Sequence, residues 1–578
     1  MSFNGFKSLI INYLPLILVL ILASILRLIW LNNVPPAVGG DELTYLITAK
    51  SILLSGSDIT GKWNPLSVFL FNFPPGQGQA ELLYFILIPF VAKFSLFWSR
   101  FPNAFFGVLV VYLIYLITSK FFGAKAGIVA ALVSAVNPWF IYISRTTYEM
   151  PVATFFYLLS LYFLITLKGK KILFTIPVLL LAFYSYIATK AVFVPFVFTA
   201  VIYSYFLVNK KKYRKEYLSI VIFSVLLFIF YFVSIIVHPG TSRIGDLFTP
   251  NNPAVTNQVN FLRHMSISNF LTDVLVNKYT VFFTVLLVKA FNIFSTGYLF
   301  INGDKFFSIY NQGVFYYPDA IFLILGLIFV FLKNRKVFFL LFSLILFSII
   351  PQLIYTASTD VFTPHNTLMF PFFIIFIGVG IYETVNYFKN RNYFYASSII
   401  ISLIYLFFIV NFLNIYFYQF PLRGNFDFPV RIASKYAELS SKNSKVFVYT
   451  ERKEDVFNKF LFYSNSLNKN TYLTVRNNIA NKYYGIGNIR FEDCNNSINP
   501  LKNNNVIIYD DNCGGLKRNG FHLSISSLSD GGENYEIFND AICSKFYLNP
   551  YPMGITISDF SIENMNVRKF CQTFVNSR

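Results

Sequence analysis

The stretch SLIINYLPLILVLILASILRLIWL, residues 8–31, is almost entirely apolar and carries a single charge, that of Arg27. As a helix it would be about 36 Å long, enough to cross a bilayer core of about 30 Å. It is too long for a signal peptide, and no small-residue cleavage site follows it. Similar runs recur through the 578 residues, which are 55% hydrophobic and only 13% charged, whereas soluble proteins carry about 25% charged residues. The sequence therefore predicts a polytopic α-helical membrane protein.

Short basic clusters between the apolar runs predict the topology. The positive-inside rule places them in the cytoplasm, and they lie at 120–125, 168–171, 210–215, 333–336 and 389–391. We predict eleven membrane-spanning helices in the cytoplasmic membrane, with the N-terminus inside and the C-terminal residues outside. The spans are roughly 8–31, 101–119, 126–144, 150–167, 172–189, 191–208, 217–237, 318–332, 337–354, 367–386 and 394–413.

The net charge of +20 comes mainly from the membrane part of the chain. Residues 1–419 hold 28 Lys and Arg against 12 Asp and Glu, whereas residues 420–578 hold 19 against 15. Basic loops between apolar runs are typical of cytoplasmic loops that face anionic lipid. Nucleic acid is therefore not the expected partner.

Two further apolar stretches, 82–94 and 281–294, are short and contain one lysine each. A single crossing by either stretch would invert the side of every later basic cluster. We predict that both lie on the outer face as interfacial helices. In the competing topology both cross, and the basic clusters between them then lie outside.

The predicted membrane domain covers residues 1–419, with a first outer loop at 32–100 and a large outer loop at 238–317. Of its twelve acidic residues, only Glu216 and Glu383 fall beside inner loops. The other ten lie on the predicted outer side, and they are Asp41, Glu42, Asp58, Glu81, Glu149, Asp246, Asp273, Asp304, Asp319 and Asp360. We therefore expect carboxylate-dependent catalysis at the predicted outer face.

Residues 420–578 have a soluble pattern in which helical and strand-like segments alternate, which predicts a small α/β domain. The four cysteines, Cys494, Cys513, Cys543 and Cys571, all lie here. An even set in one outer domain predicts two disulfides, although the alternative of four free thiols stays open. Zinc is less expected because no pair has CxxC spacing. Three pairings of the four cysteines are open.

An ordered series of motifs resembles the GT-C membrane glycosyltransferases, in the branch of the protein O-mannosyltransferases and aminoarabinose transferases. The series begins with PPAVGGDELTYLITAKSILLSG (35–56), FPPGQGQAELLYFILIPF (73–90) and SRFPNAFFGVLVVYLIY (99–115). It continues with the segments at 122–163, 184–196 and 298–331. The resemblance covers roughly residues 8–420. It implies transfer of a sugar from a polyprenyl-phosphate donor to a protein, lipid or glycan acceptor at the outer face.

The resemblance also implies catalytic positions. Asp41 takes the place of the acid on the first outer loop, with Glu42 as its neighbour, and Glu149 matches a second outer-loop acid that is commonly aspartate. A carboxylate can accept the proton of an attacking hydroxyl and stabilise an oxocarbenium-like transition state. An ordinary solvated loop is the alternative interpretation of the acidic pair.

Cations near the outer membrane edge are expected to bind the donor phosphate. Arg100 and Arg145 match arginines of the family, and Lys190 stands where arginine is common, although a lysine lacks the bidentate fork. The loop TASTDVFTPHNTLMFPFF, 356–373, lacks an arginine that many relatives carry but has His365. Asp304, in INGD, is a candidate acceptor-side contact, although Gly-Asp is also a common turn. For the cations, snorkelling to the headgroups is the alternative role.

No metal site stands out among the four histidines, although a divalent ion between Asp41 and Glu149 is left open. The leading hypothesis is an inverting glycosyltransferase. The main alternative is a transporter or flippase of lipid-linked sugars, which would need more ionisable residues at mid-membrane depth. An oligosaccharyltransferase is a nearer alternative, but the tail contains no Trp and hence no WWD signature.

Overall fold

The computed structural model describes residues 3–70, 81–207, 211–237, 247–267, 269–309, 311–355, 358–388, 390–423, 427–495, 505–514, 522–529, 531–550 and 554–577. Three features singled out from the sequence lie outside this description. They are the proline pair at 74–75, Asp246 and the side chain of Asp273.

Up to residue 419 the described chain is helical. The helices are α1 (Phe3–Leu28), α2 (Gly40–Ser55), α3 (Glu81–Leu87), α4 (Leu96–Phe122), α5 (Ala124–Val136), α6 (Pro138–Ser144), α7 (Met150–Thr166), α8 (Thr175–Phe183), α9 (Lys190–Ile202), α10 (Arg214–Val237), α11 (Pro253–His264), α12 (Phe270–Leu275), α13 (Lys278–Ile293), α14 (Asp319–Lys333), α15 (Arg335–Ser348), α16 (Ile350–Ile354), α17 (Phe370–Tyr387) and α18 (Arg391–Asn414). In the described residues, six helices are long and apolar enough to cross a membrane, or seven if the bent pair α5–α6 is one span.

A helix lies within each of the eleven predicted spans, but two of the spans are interrupted. Between α5 and α6 the axis bends by 59°, because Asn137, which precedes Pro138, is extended at ψ 132°, as residues before proline prefer. The predicted span 172–189 contains only the nine-residue α8, and turns follow it from Tyr184. The number of helices that cross the bilayer stays a prediction.

The two stretches predicted as interfacial differ in their surroundings. In 82–94, α3 is packed into a core shared with the C-terminal domain, where Leu83 and Leu87 are fully buried. In 281–294, α13 packs on α11 through Val281 and Val285, whereas Phe291 of the same helix is exposed. By length and composition α13 is also one of the six possible spans, so its position on the surface stays a prediction.

Helix α17 is the centre of the membrane domain, and its side chains from Phe370 to Ile381 are buried. Small residues allow its neighbours to approach. A Cβ added at Gly326 on α14 would lie 1.9 Å from the carbonyl oxygen of Phe376, and one at Gly378 would lie 2.5 Å from Cα of Ala130 on α5. Such small-residue contacts are the usual way in which helices pack closely inside a membrane.

Charged contacts join residues that the topology predicts on one side. The Lys333 ammonium contacts the Glu383 carboxylate, and both belong to predicted inner ends. On the other face, Lys305 lies 3.0 Å from Asp360 in an exposed pair. The loops that carry the predicted outer acids therefore meet one another.

We expect cysteine probes at Lys120, Lys170 and Arg335 to be labelled only from the cytoplasmic side, and probes at Asp58 and Asp360 only from outside. The physical reason is that short basic loops are retained on the cytoplasmic side, where they face anionic lipid. Labelling of intact and permeabilised cells with an impermeant maleimide measures it. Outside labelling at position 120 would mean that the segment 82–94 crosses the membrane.

The C-terminal domain is an α/β unit around a seven-stranded sheet of order β2-β3-β1-β4-β6-β5-β7. Strands β3, β1 and β4 are parallel to one another, and the remaining pairings are antiparallel. The strands are β1 (Val446–Tyr449), β2 (Tyr484–Ile486), β3 (Ile489–Glu492), β4 (Val506–Asp510), β5 (Leu523–Ser526), β6 (Glu533–Phe538) and β7 (Asn576–Ser577), and the helices are α19 (Phe420–Arg423), α20 (Phe428–Ser440), α21 (Lys453–Tyr463), α22 (Tyr472–Ala480) and α23 (Val567–Phe574). The α/β prediction is confirmed.

The prediction of two disulfides is confirmed, and the structure selects one pairing. Cys494 is bonded to Cys513, and Cys543 is bonded to Cys571. The second pair joins the loop after β6 to α23 and is completely buried. Both bridges close loops of the C-terminal domain.

Mass spectrometry of non-reduced peptides should therefore find these two linkages and no alkylatable thiol. Reduction should destabilise the domain, because a native disulfide in a small domain contributes about 2–5 kcal/mol. A thermal unfolding curve with and without reductant measures the effect. Four alkylatable thiols in protein isolated under non-reducing conditions would contradict the pairing.

Candidate functional site

The acidic pair lies in the first turn of α2, which begins directly after an extended Gly39. Glu42 folds back and accepts a hydrogen bond from the Gly39 amide at 2.8 Å. Carboxylates are favoured at this end of a helix because the unpaired amides give it a partial positive charge. Within the local sequence GGDE, Glu42 thus caps the start of the helix, and Asp41 lies half-buried in its first turn.

Glu42 is buried and uses its second carboxylate oxygen to bind a different loop. Its Oε1 accepts a hydrogen bond from the Thr147 amide at 2.5 Å, and only 2% of the residue is exposed. Both oxygens therefore have backbone partners. This geometry makes Glu42 a link between the first outer loop and the loop that carries Glu149.

Glu149 binds a tyrosine, Tyr45, that the sequence analysis did not select. The Tyr45 hydroxyl donates a hydrogen bond to Glu149 Oε1 at 2.5 Å. Burial, together with the carboxylates of Glu149 and Asp41, raises the pKa of Tyr45 well above its usual value. The signal was present in the sequence, because Tyr45 follows Asp41 by four residues and so lies on the same side of α2.

Aromatic rings form a wall on one side of this cluster. Tyr84 lies edge-on to Tyr45 at 6.0 Å and to Trp63 at 5.7 Å. Burial raises the pKa of Tyr84, and the charges of Glu81 and Glu149 raise it further. The rings therefore shield this side of the site from water.

Lys190 is the predicted phosphate-binding residue that lies next to this wall. Its ammonium is 3.4 Å from Glu81 Oε1, and both side chains are buried. It also lies 4.7 Å from the centroid of the Tyr231 ring and 5.7 Å from that of Tyr184. The ammonium is therefore held, out of contact with solvent, between the Glu81 carboxylate and these two rings.

The two predicted phosphate-binding arginines lie elsewhere. Arg100 is completely buried and donates to the carbonyl oxygens of Pro35 at 2.7 Å, Ala37 at 2.8 Å and Leu31 at 3.3 Å. A segment with two consecutive prolines lacks amide donors, and its carbonyls need partners when buried. Arg100 supplies them.

Arg145 also donates hydrogen bonds to this segment and to the end of α1. It donates to the carbonyl oxygens of Leu26 and Val34, each at 3.0 Å, and to the Tyr416 hydroxyl at 3.1 Å. Its guanidinium is also completely buried. The structure thus brings Arg100 and Arg145 to the loop that leads into α2, rather than to the surface around Asp41.

A third arginine, from the C-terminal domain, completes this arrangement and was missed by the sequence analysis. Arg431 is completely buried, donates to the Pro36 carbonyl oxygen, and binds both oxygens of Glu563 at 2.8 and 2.6 Å. Beside it, the Val38 amide donates to the Tyr463 hydroxyl at 3.0 Å. The C-terminal domain therefore holds the approach to Asp41 directly.

Asp304 and His365 lie in the outer loops opposite α2. Asp304 accepts hydrogen bonds from the amides of Thr363, at 2.7 Å, and Phe306, at 2.8 Å, so its oxygens join the two loops. His365 packs edge-on against Phe362 at 4.8 Å. The turn interpretation of INGD thus describes its geometry.

Rings connect these loops to α2. Phe307 lies 5.1 Å from both Phe362 and Tyr148. The Tyr148 hydroxyl packs so closely on Gly39 that an added Cβ would lie 2.5 Å from it. A side chain at position 39 would therefore require the Tyr148 hydroxyl to move.

Among the described residues, three side chains that could ligate a metal lie in the C-terminal domain, away from the acidic pair. The ligand atoms of His522, Glu533 and Glu536 are within 4.8 Å of one another. All three side chains have other partners. We assign no metal to them.

Carboxylates of the C-terminal domain predict a loss of stability in acid. Burial alone would raise the pKa of Glu563, but Arg431 holds it below the usual 4.5. Burial is likewise outweighed at Asp540, whose pKa is held below 3.8 by Tyr436 and the amide of Cys543. Both charged forms stabilise the fold above these values, and that contribution is lost as pH falls through the lower folded pKa values.

Unfolding temperatures measured between pH 7 and pH 3 should therefore fall once the pH passes below about 4.5. Glu563→Gln should flatten part of this decrease, because the variant has no proton to bind at that position. An unfolding temperature that is constant down to pH 3 would contradict the assignment.

The overall structure is similar to solved membrane-protein structures. Archaeal oligosaccharyltransferase AglB from Archaeoglobus fulgidus, in complex with an inhibitory peptide and a dolichol-phosphate, gives a TM-score of 0.46 at 13% identity over 92% of this chain and 75% of that chain. ArnT from Cupriavidus metallidurans, bound to undecaprenyl phosphate, gives 0.46 at 12% identity over 93% and 99%. No protein-family model matches the sequence, and no curated protein matches it.

Proposed function

We propose that this protein is an inverting glycosyltransferase that moves a sugar from a polyprenyl-phosphate donor to an acceptor hydroxyl at the outer membrane face. The observation that carries the proposal is the hydrogen bond from Tyr45 to Glu149, on the same side of α2 as Asp41, at the start of a helix in the predicted first outer loop. A lipid-linked donor presents its headgroup at that depth. A half-buried carboxylate there is placed for proton abstraction.

The reaction needs three contributions from the protein: a base for the acceptor proton, a negative charge near the anomeric carbon, and a cation for the leaving phosphate. The acceptor oxygen attacks the anomeric carbon while the bond to the phosphate oxygen breaks, and the phosphate keeps the electron pair. The acceptor proton passes to Asp41. Glu149, held by Tyr45, adds negative charge near the developing oxocarbenium ion.

The leaving phosphate needs a cation more than it needs an acid. We assign this role to Lys190, which is held beside the aromatic wall by Glu81. His365 is retained as a second group that could contact the phosphate from the opposite loops, and Asp304 positions its loop. Glu42, Arg100 and Arg145 hold the catalytic loop in place through backbone contacts, so we propose them as positioning residues.

The test is sugar transfer by the purified full chain in lipid nanodiscs. A panel of polyprenyl-phospho-sugars is supplied in turn, and released polyprenyl phosphate is quantified by mass spectrometry. We expect release from at least one donor, with slow release to water when no acceptor is added. Movement of an intact lipid-linked sugar between leaflets, with no release from any donor, would instead support the transporter hypothesis.

A further inference from the structure

A cleft of about 670 Å³ lies between the outer side of α2 and the C-terminal domain. From α2 it is lined by Thr44, Ile47 and Thr48, and from the domain by the first turn of α21 and by Tyr484. This volume is in the range that small-molecule sites occupy. The cleft therefore has room for a ligand that is distinct from the lipid-linked donor.

The cleft begins beside the proposed catalytic base. Gly40 and Thr44 line it, and Asp41 lies one step of about 100° around the helix from Gly40. Tyr45, which binds Glu149, is the next residue on that side. Asp41 thus lies in the first turn of α2 between the lining residues Gly40 and Leu43, so the cleft ends beside the turn that carries its carboxylate.

The charge of the cleft excludes the donor phosphate. Five carboxylates and only two cations, Arg452 and Lys453, line it. Both cations are already engaged, since Lys453 lies 2.5 Å from Asp493 and Arg452 lies 3.1 Å from Asp427. A phosphate or a uronic acid would meet a net negative wall, so an acceptor must be neutral or cationic.

The polar groups of the cleft suit hydroxyls. Its lining combines carboxylate acceptors with the hydroxyl and amide groups of Thr44, Thr48, Thr60, Asn458 and Tyr484, and the Tyr484 hydroxyl donates to Glu454 at 3.1 Å. A buried apolar strip formed by Leu43 and Ile47 runs along the floor. Hydroxyls that both donate and accept, arranged around an apolar C–H face, are the chemistry of a sugar ring.

We propose that this cleft binds a neutral saccharide acceptor and presents one of its hydroxyls to Asp41. The inference rests on the proposed function and names the acceptor class for that same site. A basic peptide that carries Ser or Thr is the main competitor, because its charge would also be tolerated. The hydroxyl-binding groups of the lining, together with its apolar residues Leu43 and Ile47, favour the saccharide.

The experiment uses the full chain in nanodiscs with the donor identified above. Neutral trisaccharides of mannose, glucose, galactose and N-acetylglucosamine are compared with a Lys/Ser peptide. We expect transfer to at least one trisaccharide. Glu454→Gln and Thr44→Trp should each raise its KM by about tenfold or more, since one removes a charged acceptor and the other fills the cleft. Matched controls are Glu438→Gln and Tyr547→Phe, which lie outside the cleft and should leave KM unchanged.

Every outcome of this experiment either supports or contradicts the proposed saccharide site. Transfer with a raised KM in both variants, each with a wild-type unfolding temperature, supports the cleft. An unchanged KM overturns the site, and transfer only to the peptide overturns the acceptor class. Donor release to water without transfer to any trisaccharide overturns the inference while leaving the proposed function standing. If no donor releases polyprenyl phosphate, both the proposed function and the saccharide site are contradicted.

Discussion

Asp41→Asn is expected to lower turnover by about 10²–10⁴-fold, the usual effect of removing a general base. This corresponds to about 3–5 kcal/mol of activation free energy. The substitution keeps the size of the side chain and its place in the first turn of α2, so the helix should still form. The asparagine cannot take the acceptor proton, and it removes a negative charge near the anomeric carbon.

The measurement is the initial rate of polyprenyl phosphate release with a saturating acceptor, together with the donor Kd. We expect the Kd to change little, because the phosphate is assigned to Lys190. The matched control is Asp360→Asn, which neutralises an exposed outer-loop carboxylate paired with Lys305. Wild-type turnover in Asp41→Asn would make the acidic pair an ordinary loop and would remove the catalytic assignment.

Arg431→Met should be the most damaging substitution in the C-terminal domain. It leaves the buried carbonyl oxygen of Pro36 without this donor and Glu563 without its bidentate partner. Breaking a buried ion pair costs about 3–5 kcal/mol, and the value here should be near the lower end, because 37% of the Glu563 side chain is exposed. The loop that leads to Asp41 would lose one of its three arginine contacts.

Two readouts separate the positioning role from general destabilisation. At a temperature where the variant stays folded, we expect kcat to fall while the donor Kd stays within about twofold, because the catalytic carboxylate is displaced. Arg431→Lys keeps the charge but not the fork and should recover only part of kcat. Arg490→Met is the control, since Arg490 is exposed and stacks on Tyr483. An Arg431→Met protein with unchanged kcat and unfolding temperature would show that the domain does not hold the loop.

The sequence by itself determined the features that depend on neighbouring residues. Apolar runs are local, and the helices at 3–28, 96–122 and 370–387 lie where hydropathy places them. Helix α2 is an exception, because the sequence analysis predicts only an outer loop over 32–100, although Glu42 accepts a local hydrogen bond from the Gly39 amide at the start of the helix. Four cysteines in one soluble segment predicted two disulfides, because an even set in a segment predicted to lie outside the cytoplasm is expected to be oxidised.

Only the tertiary structure decided which distant groups meet. Arginine side chains at the outer ends of α4 and α6 suggest phosphate binding in the sequence, yet Arg100 and Arg145 bind backbone carbonyls of the proline loop. The contact of Arg431 with Pro36 spans 395 residues, and no local pattern encodes it. Hydropathy and helix signals act over a few turns, whereas a buried polar group takes whichever partner the packed chain brings to it. The disulfide pairing, the Tyr45–Glu149 contact and the cleft beside Asp41 were decided in that way.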